Sequence, residues 1–582
     1  MSDKKDATTP KKPAMCPMVG WFNPGQLART GVDVAISTIL GREADYRLTE
    51  SLLAPSDDDD ASIWDDDPVD PMEEHDDIFD YSRSEELWLD YIADTGAGWD
   101  STYTVAYHAS SPGLNLKFKG PDGRDHTEST VRGQVLVFGG DQVYPVASRK
   151  SYRERLVEPY EAAMGHTEPP HPRVFAVPGN HDWYDSLVSF TRLFCLRRWF
   201  AGWKTRQRRS YFALKLPHRW WLVGTDVQLA SDIDVPQVKF FRRIARKMDE
   251  GDRIIMCTAE PHWIYAGMYN QFDAEINENN LAFLDRKVFV KQKIAVYLSG
   301  DIHHYRRHED KNRIQKIVAG GGGAHLFPTH GSDVSQLANG FHLCDSSYPP
   351  EKESKKITYG NLLFLFYNPW FGSATALLYL LTGWSVKARI GTFGIHQFWP
   401  ALKLTLSTAM ASPAAVFWIV LVFGGFLFFT DTHSKLYRWV GGSTHGLAHL
   451  VSAFLIGWAA TYFGVSDLGL QFGTPWQLLL AGVIILAGGW IVGSIVMGLY
   501  LLISLNVFHR HHDEAFSSMH IPDWKNFLRL HIKADGSLTI FPIGIQRVAR
   551  KWKEAPAGTL PAFIPDDPKA TGPQLIEPPI TV

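Results

Sequence analysis

Oxygen and imidazole donors recur at the ends of apolar runs in the first half of the chain. VLVFGGD ends on Asp141, FAVPGNHD on Asn180 and His181, and VYLSGDIHH on Asp301 and His303, with Asp94 before them and Glu260 and His262 between. Each run reads as a buried strand stopped by glycine or proline. Ends of neighbouring strands converge on one sheet edge, where open space favours a site. Carboxylates, an amide oxygen and imidazoles suit zinc, manganese or iron, not copper thiolate chemistry. A carboxylate shared by two such ions holds them about 3.5 to 4 Å apart, which acidifies a bridging water and neutralises a phosphoryl group. Hydrolysis of a phosphoester follows from that donor set.

The elements that would position these donors occupy residues 87–355, where short β-rich segments alternate with helical ones. TYTVAYH, QVLVFGG, RVFAVPG, SYFALKL, WWLVGTD, RIIMCTA, KIAVYLSG and IQKIVAG all read as strands, so a layered α/β or α+β domain is expected. Residues 1–86 read as an adaptor: apolar residues at helical spacing over 24–53, then acidic runs at 57–60 and 65–77 that suit a solvated linker. Four glycines at 320–323 follow a strand and open no clear helix, which argues against a phosphate-binding GxGxxG loop.

After about residue 361 the text changes solvent. Residues 412–430, 444–465 and 476–508 carry no Lys, Arg, Asp or Glu, and each approaches or exceeds the roughly 20 residues that cross a bilayer. Residues 361–384 are also uncharged but are broken at Asn368 and Pro369. Three to four spans are expected, with four favoured. Lys352, Lys355, Lys356 and Arg510 suit the inner side, whereas Lys387, Arg389 and Lys403 fit a four-span count less well. His445 and His449 stand one turn apart on a span, and the HRHHDE run after the last one could bind metal or cap the catalytic mouth, or be a solvated juxtamembrane segment. Residues 509–582 are expected to hold a β-hairpin turning at Asp535 and Gly536, then a disordered tail.

The series GGD, GNHD and GDIH resembles the calcineurin-like metallophosphoesterases, whose pattern is DxH, GD, GNH(D/E), a lone His and GHxH. The resemblance covers roughly residues 88–330 and implies a sandwich of two mixed sheets flanked by helices, here joined to an α-helical transmembrane bundle. It implies that Asp141 bridges two metals, that Asn180 binds the second, and that His181, with Asp182, serves catalysis near the leaving group. DTG at Asp94 to Gly96 and GDQVY at residues 140–144 are similar to the purple acid phosphatase branch, which makes Tyr144 a metal ligand beside Asp94. GDIH puts Asp301 where the family has histidine and keeps His303. Glu260 or His262 fills the lone-histidine position, with Glu260 favoured. Such a carboxylate-rich site favours manganese, magnesium or ferrous iron over zinc.

Composition limits the partners. A net charge of −4 argues against a nucleic-acid binder. Four scattered cysteines show no CxxC spacing, and the N-terminus lacks the apolar stretch of a secretory signal. A basic and aromatic segment after GNHD, including Arg197, Arg198 and Arg209, would meet anionic headgroups and guide a lipid phosphate. The expected protein is an integral membrane phosphoesterase of the plasma (inner) membrane. Its catalytic domain would be cytosolic and its substrate a phosphomonoester or diphosphate, a lipid's among them. The competing expectation is a non-catalytic scaffold or sensor on a decayed fold.

Overall fold

The computed structural model describes residues 13–36 and 78–582, apart from 166, 168–169, 197–198, 228–232, 269–278, 332, 345, 388–396, 431–433 and 557. The acidic runs, Arg197 and Arg198, and most of the expected 24–53 helix lie outside the described residues. Of that helix, Pro24–Ile36 is described.

Two mixed sheets stack face to face. In the first, Leu87–Ile92, Val135–Gly139 and Arg173–Val177 run parallel as neighbours. The second centres on Trp220–Gly224, Arg253–Cys257, Lys293–Ser299 and Gln315–Ala319, also parallel. Strands of this kind are buried on both faces, which is why their sequences are continuously apolar. The period of two then sorts the side chains. Val135, Val137, Phe175 and Val177 point between the sheets, where they meet Leu222, Ile255 and Leu298. Leu136, Phe138, Val174 and Ala176 point outward to a helical layer. On the far side, Ile254 and Met256 pack under Phe240, Phe241 and Ile244 of the helix Val235–Ala245.

One expected strand is a helix. TYTVAYH lies within Trp99–Ser110, whose Trp99, Tyr103, Ala106 and Ala109 all face the outer core of the first sheet. Its β-branched and aromatic residues favour strands by local propensity, but burial at three- and four-residue spacing overrides that preference.

The C-terminal hairpin is an interior part of the first sheet. Lys525–Ile532 pairs antiparallel with Leu87–Ile92 and with Leu538–Ile545. The Arg529 guanidinium, fully buried, donates to both Asp90 carboxylate oxygens (2.6 and 3.1 Å) and to the Ala109 carbonyl (3.1 Å). Beyond residue 550 the expected disorder gives way to short strands: Gln574–Leu575 and Ile580–Thr581 both add to Leu538–Ile545. Leu575 and Ile580 anchor them in the core.

Between the sheet's two contributions lie the apolar helices. Lys435–Asp467 and Pro475–Phe508 are long and apolar enough to cross a membrane. Phe398–Ala411 and Pro413–Phe429 pass together but are bent by 98° at Ser412, where Pro413 removes a backbone donor. Residues 361–384 divide at Asn368, and Pro369–Lys387 runs on as one helix. It packs closely on Pro475–Phe508, with Thr375 Oγ1 donating to the Gly489 carbonyl (2.9 Å), the small-residue contact expected between apolar helices. Within this bundle His449 Nε2 lies 3.2 Å from His445 Nε2, and the Tyr379 hydroxyl 3.0 Å from His449 Nδ1.

Candidate active site

Three aspartates, each just past a strand end, adopt the left-handed backbone region: Asp94 at φ 58°, Asp141 at 48° and Asp301 at 67°. Aspartate tolerates this region better than most residues, and such conformations gather at functional sites. The turns throw the side chains together at the edge shared by the two sheets. Asp94 leans into space that glycine leaves open, since a Cβ on Gly300 or Gly320 would collide with its Oδ2. The first of the four glycines at 320–323 therefore has a packing role. The Asp301 backbone N–H donates to Asp94 Oδ1 and Oδ2 (3.0 and 2.8 Å), tying the end of the first sheet to that of the second.

Tyr144 stands at the centre. Its hydroxyl oxygen is 3.0 Å from Asp94 Oδ1, 3.0 Å from Asp141 Oδ2 and 2.9 Å from His303 Nε2. One phenol hydrogen serves only one of these acceptors, so the cluster holds more lone pairs than protons. Burial, then repulsion from Asp141 and Asp301, lifts the Asp94 carboxyl well above its ordinary range. Burial likewise pushes Asp141 and Asp301 up to about 7. His303 donates from Nδ1 to the His325 carbonyl (2.8 Å), which leaves Nε2 as the donor atom aimed at the cluster. An octahedral ion with bonds of about 2.1 Å sets neighbouring donors about 3 Å apart, so these four side chains fit a cation. Counting His, Cys, Asp and Glu alone, the described residues contain no group of three that would hold a metal ion. That count omits the tyrosine oxygen on which this cluster turns.

Asn180 and His181 follow Asp141 around the same edge. The His181 backbone N–H donates to Asp141 Oδ1 (2.9 Å) and its ring Nδ1 to the Pro145 carbonyl (2.6 Å), leaving Nε2 as its second ring nitrogen. Burial lowers its pKa. Asp141, Tyr144, Asn180, His181, Asp301 and His303 line one cavity of about 510 Å³. Asp94 lies behind it, fully buried.

Other expected site residues fall elsewhere. Asp182 is buried and does not reach the cavity. It accepts from the Gly179 and Gln142 backbone N–H groups and from the Tyr152 hydroxyl, so it positions the two loops that carry Asp141 and Asn180. Neither Glu260 nor His262 lines the cavity; the Glu260 charge is felt at the Tyr184 phenol, and His262 begins the helix His262–Met268 with its ring buried. Arg209 is only 8% exposed, its guanidinium over the Tyr211 and Phe240 rings, so it faces the interior and not a membrane. Phe194, Phe200 and Trp203 of the same segment are core residues of the outer layer.

The cavity also recruits residues from outside the expected ligand series. Tyr265 donates to Asp301. Trp21, far upstream, sets its ring edge-on to His181 (5.8 Å), His325 (5.9 Å) and Tyr144 (6.3 Å). The HRHHDE run forms part of the wall through residues 510–514, and Asp513 Oδ1 lies 2.9 Å from His325 Nε2. Of the readings the HRHHDE run allows, its place in the wall agrees with a cap on the cavity. Nothing in the sequence marked Trp21.

Residues 77–305 match the family model described as calcineurin-like phosphoesterase. No curated protein matches the chain. A solved structure described as "Structure of PhoD" is similar over 41% of this chain and 58% of that chain, at 10% identity and a TM-score of 0.26, too slight a likeness to carry an argument.

Proposed function

We propose that the chain is a metal-dependent phosphoric ester hydrolase that works at a membrane on a phosphomonoester or diphosphate, a reading supported by the match of residues 77–305 to the calcineurin-like phosphoesterase model. The observation that carries this reading is the Tyr144 oxygen shared among Asp94, Asp141 and His303 at 2.9 to 3.0 Å. Those four side chains would hold one divalent ion, and Asp141, Asn180 and Asp301 a second, with manganese, iron, magnesium or zinc as the candidates. When bound, such ions supply an acidified water and neutralise phosphoryl oxygens. The chain's own residues do the rest. The Pro145 carbonyl accepts from Nδ1 and fixes the neutral His181 ring with Nε2 bare, so Nε2 would first take a proton from water and then pass it to the leaving oxygen. Trp21 and Tyr184 wall the cavity and limit water. Arg306 and Arg510, on the same wall, would attract an anionic substrate.

The membrane reading rests on the apolar helices and on sheet order. Leu87–Ile92 and Lys525–Ile532 are hydrogen-bonded neighbours, so the chain must leave and re-enter on one face of the bilayer. The crossings are then even in number: two, or four if Pro369–Lys387 and the bent pair each cross. We favour four, with the catalytic domain on the cytosolic face of the plasma (inner) membrane. The test of the reaction is turnover of a chromogenic phosphate monoester by the full chain with each divalent metal. Asp141→Ala and His181→Ala should abolish it; equal background in all three proteins would overturn the reading.

A further inference from the structure

A second cavity opens beside the reaction cavity, on its membrane side. It has a volume of about 480 Å³ and is walled by Phe371, Leu378, Trp418, Leu421, Phe426 and Met497 from three of the apolar helices. Trp21, Asp513 and Glu514 line both cavities, so the two adjoin. The helix Pro24–Ile36 lies along the seam: Leu27 faces the apolar cavity and Thr30, one turn on, the polar one. Phe22 fastens this segment, its ring 5.2 Å from Phe364 and 5.7 Å from Phe371. Shared walls with the reaction cavity separate this groove from ordinary gaps between apolar helices. Another apolar cavity, of about 370 Å³ around Phe398 and Phe454, shares no lining residue with the reaction cavity.

A polar chamber set directly beside an apolar one, with three wall residues in common, matches a molecule with a phosphorylated head and a hydrocarbon chain. The geometry points to a long-chain lipid phosphoester as the substrate, its head among Asn180, His181 and Arg510 and its chain between the helices Pro369–Lys387, Pro413–Phe429 and Pro475–Phe508. This assignment rests on the phosphoesterase reading and adds the substrate class. A wholly water-soluble phosphoester would leave the apolar chamber unused. The bent pair contributes the chamber's outer wall, where Gly425 lines the groove and a Cβ on it would meet nothing within 4 Å. Gly424, its neighbour, has equal room and lines none of these cavities.

These two glycines give a matched test. Ethyl- and decylphosphonate, which are not hydrolysed, are titrated into the full chain in nanodiscs with manganese, and the dissociation constants are compared. Burying the longer chain should tighten binding roughly tenfold or more. Gly425→Phe should bring the decyl affinity down to near the ethyl value, and Gly424→Phe should keep the wild-type ratio. A ratio near one in the wild type overturns the proposal. So does a ratio unchanged by Gly425→Phe, because the chain would then be partitioning into the disc lipid. Binding is read without turnover, so an inactive enzyme would defeat the phosphoesterase reading while leaving the chain-binding result decisive.

Discussion

Tyr144 is fully enclosed, and its oxygen touches the side chains of Asp94, Asp141 and His303, all of types that bind metals. Burial and the carboxylates around it raise its pKa well above the ordinary phenol value, so without a cation it stays protonated and serves one acceptor at most. Tyr144→Phe should therefore keep the fold and lose metal. We expect a drop in affinity of at least the tenfold to hundredfold that outer ligand partners are worth, measured by metal content after dialysis against graded chelator. At this scale much was legible in advance. Asp141, Asn180, His181, Asp301 and His303 each follow an apolar run broken by glycine or proline, and a strand end is a place that sequence marks. Asp182 was misplaced because GNHD does not say which way each side chain turns. Its carboxylate is spent on two backbone N–H groups and a tyrosine.

Among elements, the pairing of Leu87–Ile92 with Lys525–Ile532 joins the ends of the described chain. Its one buried ion pair, Asp90 with Arg529, is closed by hydrogen bonds to the Gly133 N–H and the Ala109 carbonyl. Removing one partner leaves a charge without a counterion, at a cost of about 3 to 5 kcal/mol. Arg529→Met should thus lower the thermal midpoint sharply in detergent; a midpoint equal to wild type would show that the hairpin adds little. The hairpin itself was readable from Asp535 and Gly536. Its partner was not, because register between strands so far apart in sequence depends on tertiary packing, not local pattern. The helix Trp99–Ser110 was misread for the same reason.

For the whole molecule, burial predicts acid sensitivity, and sheet order is the basis of the proposed topology. His308 in Tyr305–Glu309 is fully buried, its Nε2 2.8 Å from the Val334 carbonyl. Burial lowers its pKa to about 4, and that of His330 likewise. The folded protein keeps both neutral while the unfolded chain protonates near the ordinary value of about 6.5. Stability is thus present above that value and is lost as pH falls toward 4. The thermal midpoint should decline between pH 7 and 5, and His308→Gln should flatten the decline. In a background without the native cysteines, Ser466→Cys should react with an impermeant maleimide from outside intact cells, and Asp535→Cys only after permeabilisation. The apolar half was legible because solvent change is a compositional signal. Which helices cross was not, since a 98° bend at Ser412 has no signature beyond the proline after it.

The partners Asp90 and Arg529 lie 439 residues apart, with all the apolar helices between them. During synthesis the part that precedes the apolar helices therefore leaves the ribosome with one side of Leu87–Ile92 unpaired, and an open strand edge invites wrong pairing. Closure waits until the last apolar helix has been made and the tail released, so translation order itself delays the completed first sheet, and with it the edge that carries Asp94 and Asp141, until every apolar helix has been synthesised.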